Sequence, residues 1–459
     1  MAVHEMIEAF SKQSPVCVMA RATLENVLAD ERLNEIFEQA AQRQYCRQLS
    51  FATCTQLMTM VVARIRPSVN AAYEAAKAEM SVAVASVYNK LQGIEPTVLE
   101  RLVQSTASHM ATAIDELKAS TPGPLPGHDV RILDGNHLTG TEHRIAELRR
   151  LGAAALPGQS ICILDPQRKL IEDLIACEDG HANERSLIPQ LLERVRPGQC
   201  WIADSAYSTM DFLFGVAERR AHFLVRQHGG LLGEPIGRRK KIGRIETGVV
   251  YEQTLRITHG DGRQMDVRRI TIQLDKPTAK KEGEVHLLTN LPKSVSARKA
   301  AKAYRGRWKI ETAFQEVTTT LRSELNTLGY PPAALFGFCI AVVMYNVLSV
   351  IQASLRASQT ATRKIERNLS MYALTDEIAG VWRGMEIAIP ASHWTEAYGD
   401  LSAKQLASKL RTLARQADLK RFTTYKWTPK REQPKRISGN RGNHVSTKRI
   451  LEKRAKITH

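Results

Sequence analysis

Three carboxylates in this sequence stand where they could do chemistry. Asp134 closes the apolar stretch Val130-Arg131-Ile132-Leu133, and Asp204 closes Gln199-Cys200-Trp201-Ile202-Ala203. Each stretch reads as a short strand, so each aspartate is expected at a strand end, held rigidly but open to solvent. Were the two strands neighbours in one sheet, the two side chains would share a cation. The third acid closes the run Tyr304-Arg305-Gly306-Arg307-Trp308-Lys309-Ile310-Glu311. On a helix, Tyr304, Arg307 and Glu311 fall at i, i+3 and i+7 and share one face. There Arg307 can grip a phosphate while Glu311 holds metal, and Tyr304 can bond a phosphate or stack on a base. Mg2+ prefers oxygen ligands, so an all-carboxylate site suits it. Two such ions about 4 Å apart drive in-line displacement at phosphorus. A lone strand-end aspartate is usually a turn or cap residue, and the helix alone would be an amphipathic surface with incidental ion pairs. The combination points to a site.

The elements that must position these residues fall into four stretches. Residues 1–125 are rich in Ala, Leu, Glu, Gln and Arg and read as a helical N-terminal, DNA-binding domain. Pro122, Pro124 and Pro126 then hold the chain open and mark a boundary. Residues 128–330 read as an α/β core: three strands, helix, strand, helix, strand, the order of a ribonuclease-H-like domain. A β-rich insertion over about 227–283 interrupts this core and carries Arg238-Arg239-Lys240-Lys241. Residues 331–418 read as a helical C-terminal region. The tail, 419–459, is dense in Lys and Arg, has little to bury, and is expected to be disordered until it meets an anion.

The chain is strongly basic, with 65 Lys plus Arg against 47 Asp plus Glu and a formal charge of +18. That excess predicts attraction to a polyanion, nucleic acid first. Within residues 80–103, a short helix over 81–91, a turn at Gln92-Gly93-Ile94 and a helix opening at Pro96 resemble a helix-turn-helix, whose second helix can enter a major groove. The bland alternative is a plain helical hairpin. Seven scattered cysteines show neither CxxC pairs nor zinc-ligand spacing, the pattern of reduced thiols in a cytoplasmic protein. The apolar run 335–351 is short for a membrane span and contains Tyr345 and Asn346, so a buried core helix is expected. Glu184 follows Gly180-His181-Ala182-Asn183. It is read as the acid of a helix start capped by Asn183 or a neighbour, with a metal or substrate contact as the sharper alternative.

Three blocks carry a likeness to a known family: Ile132-Leu133-Asp134-Gly135, Trp201-Ile202-Ala203-Asp204-Ser205-Ala206-Tyr207, and Tyr304 through Glu311. Over roughly residues 129–345 the chain resembles the DDE transposases of bacterial insertion sequences, the branch with a Tyr-Arg-Glu-Lys signature (insertion sequence family four). The resemblance implies that Asp134, Asp204 and Glu311 bind two Mg2+ ions, with Mn2+ able to substitute, and that Tyr304 and Arg307 bind DNA phosphates near the cleaved end. It implies hydrolysis and strand transfer on double-stranded DNA, at terminal inverted repeats and target DNA. It further implies a homodimer on DNA, no membrane, and a bacterial cytoplasmic, nucleoid-associated location. The signature lysine belongs seven residues after the glutamate, where this chain has Thr318; the nearest basic residue downstream is Arg322. The family's base-stacking Trp in the insertion has no counterpart between Trp201 and Trp308. Two alternatives stand beside this reading: a transposase-derived DNA-binding regulator without catalysis, and a structure-specific nuclease of the same fold.

Overall fold

Successive side chains of a strand point to opposite faces, and here both faces are apolar. Val130, Ile132, Cys162, Leu164, Cys200, Ile202 and Leu224 enter one buried cluster, while Leu133, Ile161, Ile163, Trp201, Ala203, Phe223 and Val225 enter another. The strands that carry them therefore form a sheet covered on both sides. The structure is a computed structural model and describes residues 3–43, 49–138, 145–150, 155–278, 281–325, 327–358, 369–423 and 445–457.

The strands are β1 (Asp129–Leu138), β2 (Ala155–Leu156), β3 (Gly158–Asp165), β4 (Leu170–Cys177), β5 (Gln199–Ala203), β6 (His222–Arg226), β7 (Glu234–Ile245), β8 (Gly248–Thr258), β9 (Gln264–Leu274), β10 (Glu284–Thr289) and β11 (Val445–Ser446). Nine of them make one mixed sheet in the order β4-β3-β1-β5-β6-β10-β9-β8-β7. β1 runs parallel to β5, β5 parallel to β6, and β3 antiparallel to both β1 and β4. The strands of the region expected as a β-rich insertion extend this sheet, because β10 returns to pair with β6 and carries β9, β8 and β7 outward.

The helices are α1 (Val3–Gln13), α2 (Pro15–Val27), α3 (Asp30–Ala40), α4 (Phe51–Val62), α5 (Val69–Ala75), α6 (Val84–Leu91), α7 (Pro96–Glu116), α8 (Ile188–Arg194), α9 (Met210–Glu218), α10 (Ala297–Tyr304), α11 (Trp308–Thr320), α12 (Pro331–Ala357), α13 (Met371–Ala388), α14 (Ala391–Tyr398), α15 (Ala403–Gln416) and α16 (Thr447–Ile457). One face of the sheet packs on α8 and α9 through Ile188, Leu191, Phe212, Leu213 and Val216. The other packs on α7, α10, α11 and α12. α12 is the one described helix long and apolar enough to cross a bilayer, and its most apolar window is wholly buried inside the protein.

N-terminal and C-terminal helices do not build separate cores. Residues of α2, α4 and α7 share one continuous cluster with α12, α13, α14 and α15. Asn26 of α2, fully buried, donates to the carbonyls of Tyr398, Gly399 and Leu401 at 3.0, 3.1 and 2.9 Å. At the other end of the sheet, β4 has a free edge. Asn346 of α12 covers part of it: its amide accepts from Ile171 N at 2.9 Å and donates to Ile171 O at 2.8 Å. Glu100 of α7 accepts from Ala176 N at 3.1 Å. Side chains thus satisfy backbone groups that an edge strand otherwise leaves open.

The turn and Pro96 start of the helix-turn-helix reading are present; α7 runs for 21 residues, buries Val98, Leu99, Leu102, Val103, Met110 and Ile114 against the core, and leaves Thr97, Arg101, Ser108 and Thr112 exposed. Part of the tail expected to be disordered is ordered: β11 pairs with β2, and α16 places Lys448 3.2 Å from Glu178 and Arg449 2.6 Å from Asp179. The rest of the tail, 424–444 and 458–459, lies outside the described residues.

Candidate active site

The parity of the strands brings the aspartates together. β1 and β5 are parallel with Ile132 opposite Ile202. Two residues further along each chain come Asp134 and Asp204, on the same face as those isoleucines. Asp134 is not at a strand end, as expected from sequence; β1 continues to Leu138, pairing with β3 alone, and Asp134 stands opposite Cys162. It becomes accessible because β5 stops at Ala203. Asp204 caps the short turn that follows, its carboxylate accepting from Ala206 N at 2.8 Å.

α11 supplies the third acid. Its buried face is Ile310, Ala313 and Val317, which seats the helix on the sheet near β1. The helix expected to carry Tyr304, Arg307 and Glu311 on one face is broken: residues 305–307 form a 3-10 turn between α10 and α11. Gly306 there lies against Pro124, 3.1 Å from the place a Cβ would take. Arg307 and Glu311 remain one turn apart, and the Arg307 guanidinium bridges two acids. One nitrogen donates to Asp134 at 3.0 Å and the other to Glu311. Tyr304 is half-buried beside Arg307, and burial pushes its phenol up to about 12. Burial also pushes the Asp134 carboxyl up to about 6 against the pull of Arg307, and the charge of Asp204 adds to the rise.

A fourth carboxylate joins them. Asn183 does cap the turn after it, accepting from Arg185 N at 3.0 Å. The Glu184 side chain nevertheless projects against Gly135, where any Cβ would collide with its carboxylate. It stands 3.9 Å from His137, and burial raises its carboxyl, with Asp204 adding. The Tyr207 ring is buried behind this cluster. Sequence reading gave Glu184 the bland role; the one signal for the other was Gly135, directly after Asp134.

Among the described residues, no three His, Cys, Asp or Glu side chains form a ready metal cage. Arg307 occupies the space between Asp134 and Glu311 instead. Thr318 is exposed and spends its hydroxyl on the carbonyls of Phe314 and Gln315 at 2.9 and 3.2 Å. Arg322 does not replace the missing lysine. It is turned toward the carbonyls of Arg66 and Pro67, at 3.2 and 2.8 Å. Trp308 is 65% exposed beside Arg307.

Residues 125–347 match the family model described as Transposase DDE domain. That segment contains Asp134, Asp204, Tyr304, Arg307 and Glu311, and the match supports a transposase function. No curated protein matches the chain.

Proposed function

We propose that this protein is a DNA transposase that hydrolyses phosphodiesters at transposon ends and transfers the freed strands to target DNA. The observation that carries the reading is the Arg307 bridge: residues 134 and 311, distant in sequence, meet on one guanidinium, with Asp204 just past the end of the neighbouring strand β5. The order β4-β3-β1-β5-β6, with β3 antiparallel, supports a ribonuclease-H-like core.

Asp134, Asp204 and Glu311 would hold two Mg2+ ions, with Mn2+ able to substitute. The fit lies in the donor set: three carboxylates of hard oxygen, with Asp134 raised by burial, against the pull of Arg307, and by the charge of Asp204. When bound, the ions would activate water or a 3′-hydroxyl and stabilise the leaving oxygen. The chain's own residues do the positioning. Arg307 presents a planar fork suited to phosphate, so an incoming phosphodiester would exchange for a carboxylate on that fork. Tyr304 would donate its phenolic proton to a phosphate oxygen, since a phenol held up at about 12 stays protonated. Paired ends would require a homodimer on DNA.

The test uses purified protein, Mg2+ and a duplex ending in the inverted repeats that flank the gene. Asp134→Ala, Asp204→Ala and Glu311→Ala should each abolish cleavage and keep duplex binding. Full cleavage by any one removes that residue from the site. Thr318 favours a second reading, a DNA-binding regulator without catalysis. Binding of the duplex with no cleavage by the unmodified protein in Mg2+ or Mn2+ would select it.

A further inference from the structure

We infer that the free edge of the sheet at β7 and the outer face of α10 form one cationic track, along which double-stranded DNA runs into the carboxylate site. The inference rests on the proposed function and adds where the duplex lies beyond the reacting phosphate.

β7 closes the sheet opposite β4 and is exposed along its length except at Gly243 and Ile245. It carries Arg238, Arg239, Lys240, Lys241 and Arg244 against one acid, Glu234. Arg239 is drawn to Glu284 at 2.8 Å and Arg244 to Asp275 at 2.5 Å. Among the described residues, Arg238, Lys240 and Lys241 have no carboxylate within ion-pair distance. Charge on an edge strand commonly does no more than discourage pairing with another chain, and β7 also has the bulges that serve that end. Such a role ends at the strand, whereas here the cations continue.

They continue on α10. Ala297, Ala300, Ala301 and Ala303 are buried, and Arg298, Lys299 and Lys302 point outward. Alanines let the helix lie close on the sheet. At Gly243 the two surfaces meet, because the Arg298 side chain passes 3.2 Å from the place a Cβ would take. The C-terminal end of α10 is Tyr304, and Arg307 follows one turn later. The positive surface therefore leads from the edge of the sheet to the guanidinium that touches Asp134 and Glu311.

The dimensions and charge suit a duplex. Twelve residues of strand span about 40 Å, close to one turn of B-form DNA at roughly 34–36 Å. A duplex presents about one negative charge per 1.7 Å of axis. A row of exposed cations, most of them without a carboxylate partner, tolerates any sequence, as backbone contact requires.

The experiment measures binding of a fluorescent duplex by anisotropy across a series of salt concentrations. It compares the full chain with Arg238→Ala/Lys240→Ala/Lys241→Ala and with Arg298→Ala/Lys299→Ala. Each lost phosphate contact should lower the slope of log affinity against log salt by about 0.9. The first variant is expected to lose roughly two to three in slope and the second up to about two, both with the melting temperature of the parent. Lys240→Arg/Lys241→Arg keeps the charge and should keep the slope. Parent-like slopes in both alanine variants overturn the inference and leave the proposed function standing. Absence of salt-dependent duplex binding by the parent overturns the proposed function itself. Parent-like duplex binding with lost binding to anionic lipid vesicles would assign the surface to a membrane and also overturn the inference.

Discussion

Replacing Asn346 with leucine should loosen the strand that backs the site. The amide is fully buried in α12, and both its polar atoms are committed to Ile171 on the edge strand β4. Leucine has nearly the same shape, so the substitution leaves little cavity. What it leaves is one backbone N–H and one carbonyl without partners in a dry core. Each such group costs about 1–3 kcal/mol, and the added apolar burial offsets about 1–2 kcal/mol of the sum. The net loss is about 3 kcal/mol, roughly a hundredfold in the population of the opened state. Hydrogen exchange followed by mass spectrometry on peptides spanning 170–177 reads this directly, and the protection of β4 should fall by that factor. Asn346→Asp adds a control. Its carboxylate can still accept from Ile171 N, but at neutral pH it offers no proton to Ile171 O and buries a charge. It should therefore be worse than leucine at pH 8 and recover as the pH is lowered. Parent-like protection of β4 in Asn346→Leu would refute the claim that this amide holds the edge.

Burial pushes Glu100 up to about 7 despite Arg194 at 2.6 Å. A raised carboxyl contributes stability that is complete below its ordinary value near 4.5 and is lost as pH rises to about 7. The loss is about 3 kcal/mol at most, and Glu100→Gln should flatten that part of a urea-midpoint-against-pH curve. Gly135→Ala should displace only the flexible end of Glu184, leaving the melting temperature within about 2 °C while slowing DNA cleavage; unchanged cleavage would show that Glu184's position is immaterial. Deleting the chain after Leu419 removes many cations and should weaken duplex binding and flatten its salt dependence. An unchanged slope would assign the tail to packing through Lys448 and Arg449 alone.

Much of this architecture was legible because strands and aspartates obey short-range rules. Apolar runs announced β1 and β5, and strand-end position with helical spacing flagged Asp134, Asp204 and Glu311. Nothing local revealed that β5 stops where β1 continues, which is what opens Asp134 in mid-strand. The place of Glu184 was not legible because its contact is with Gly135, which has no side chain to announce it. For α7, a helical stripe shows that one face is buried, not what buries it. α13 and α14 fell within the stretch 331–418 read as helical, but their bounds were not legible, since their short apolar stripes gain meaning only against α2. The fate of Arg322 depended on carbonyls at Arg66 and Pro67, more than 250 residues away in sequence.

The core shared by the two ends of the chain has a consequence for synthesis. α2, α4 and α7 leave the ribosome early, yet their apolar faces are covered by α12 through α15. Until translation passes about residue 416, those faces have no permanent partner. The nascent chain must therefore hold an exposed oily surface for most of its synthesis, a state prone to aggregation and to capture by chaperones. Fragments cut near residue 125 inherit the same defect on both sides of the cut. Neither half is a free-standing unit, and the protein becomes competent only when its last helices close over its first.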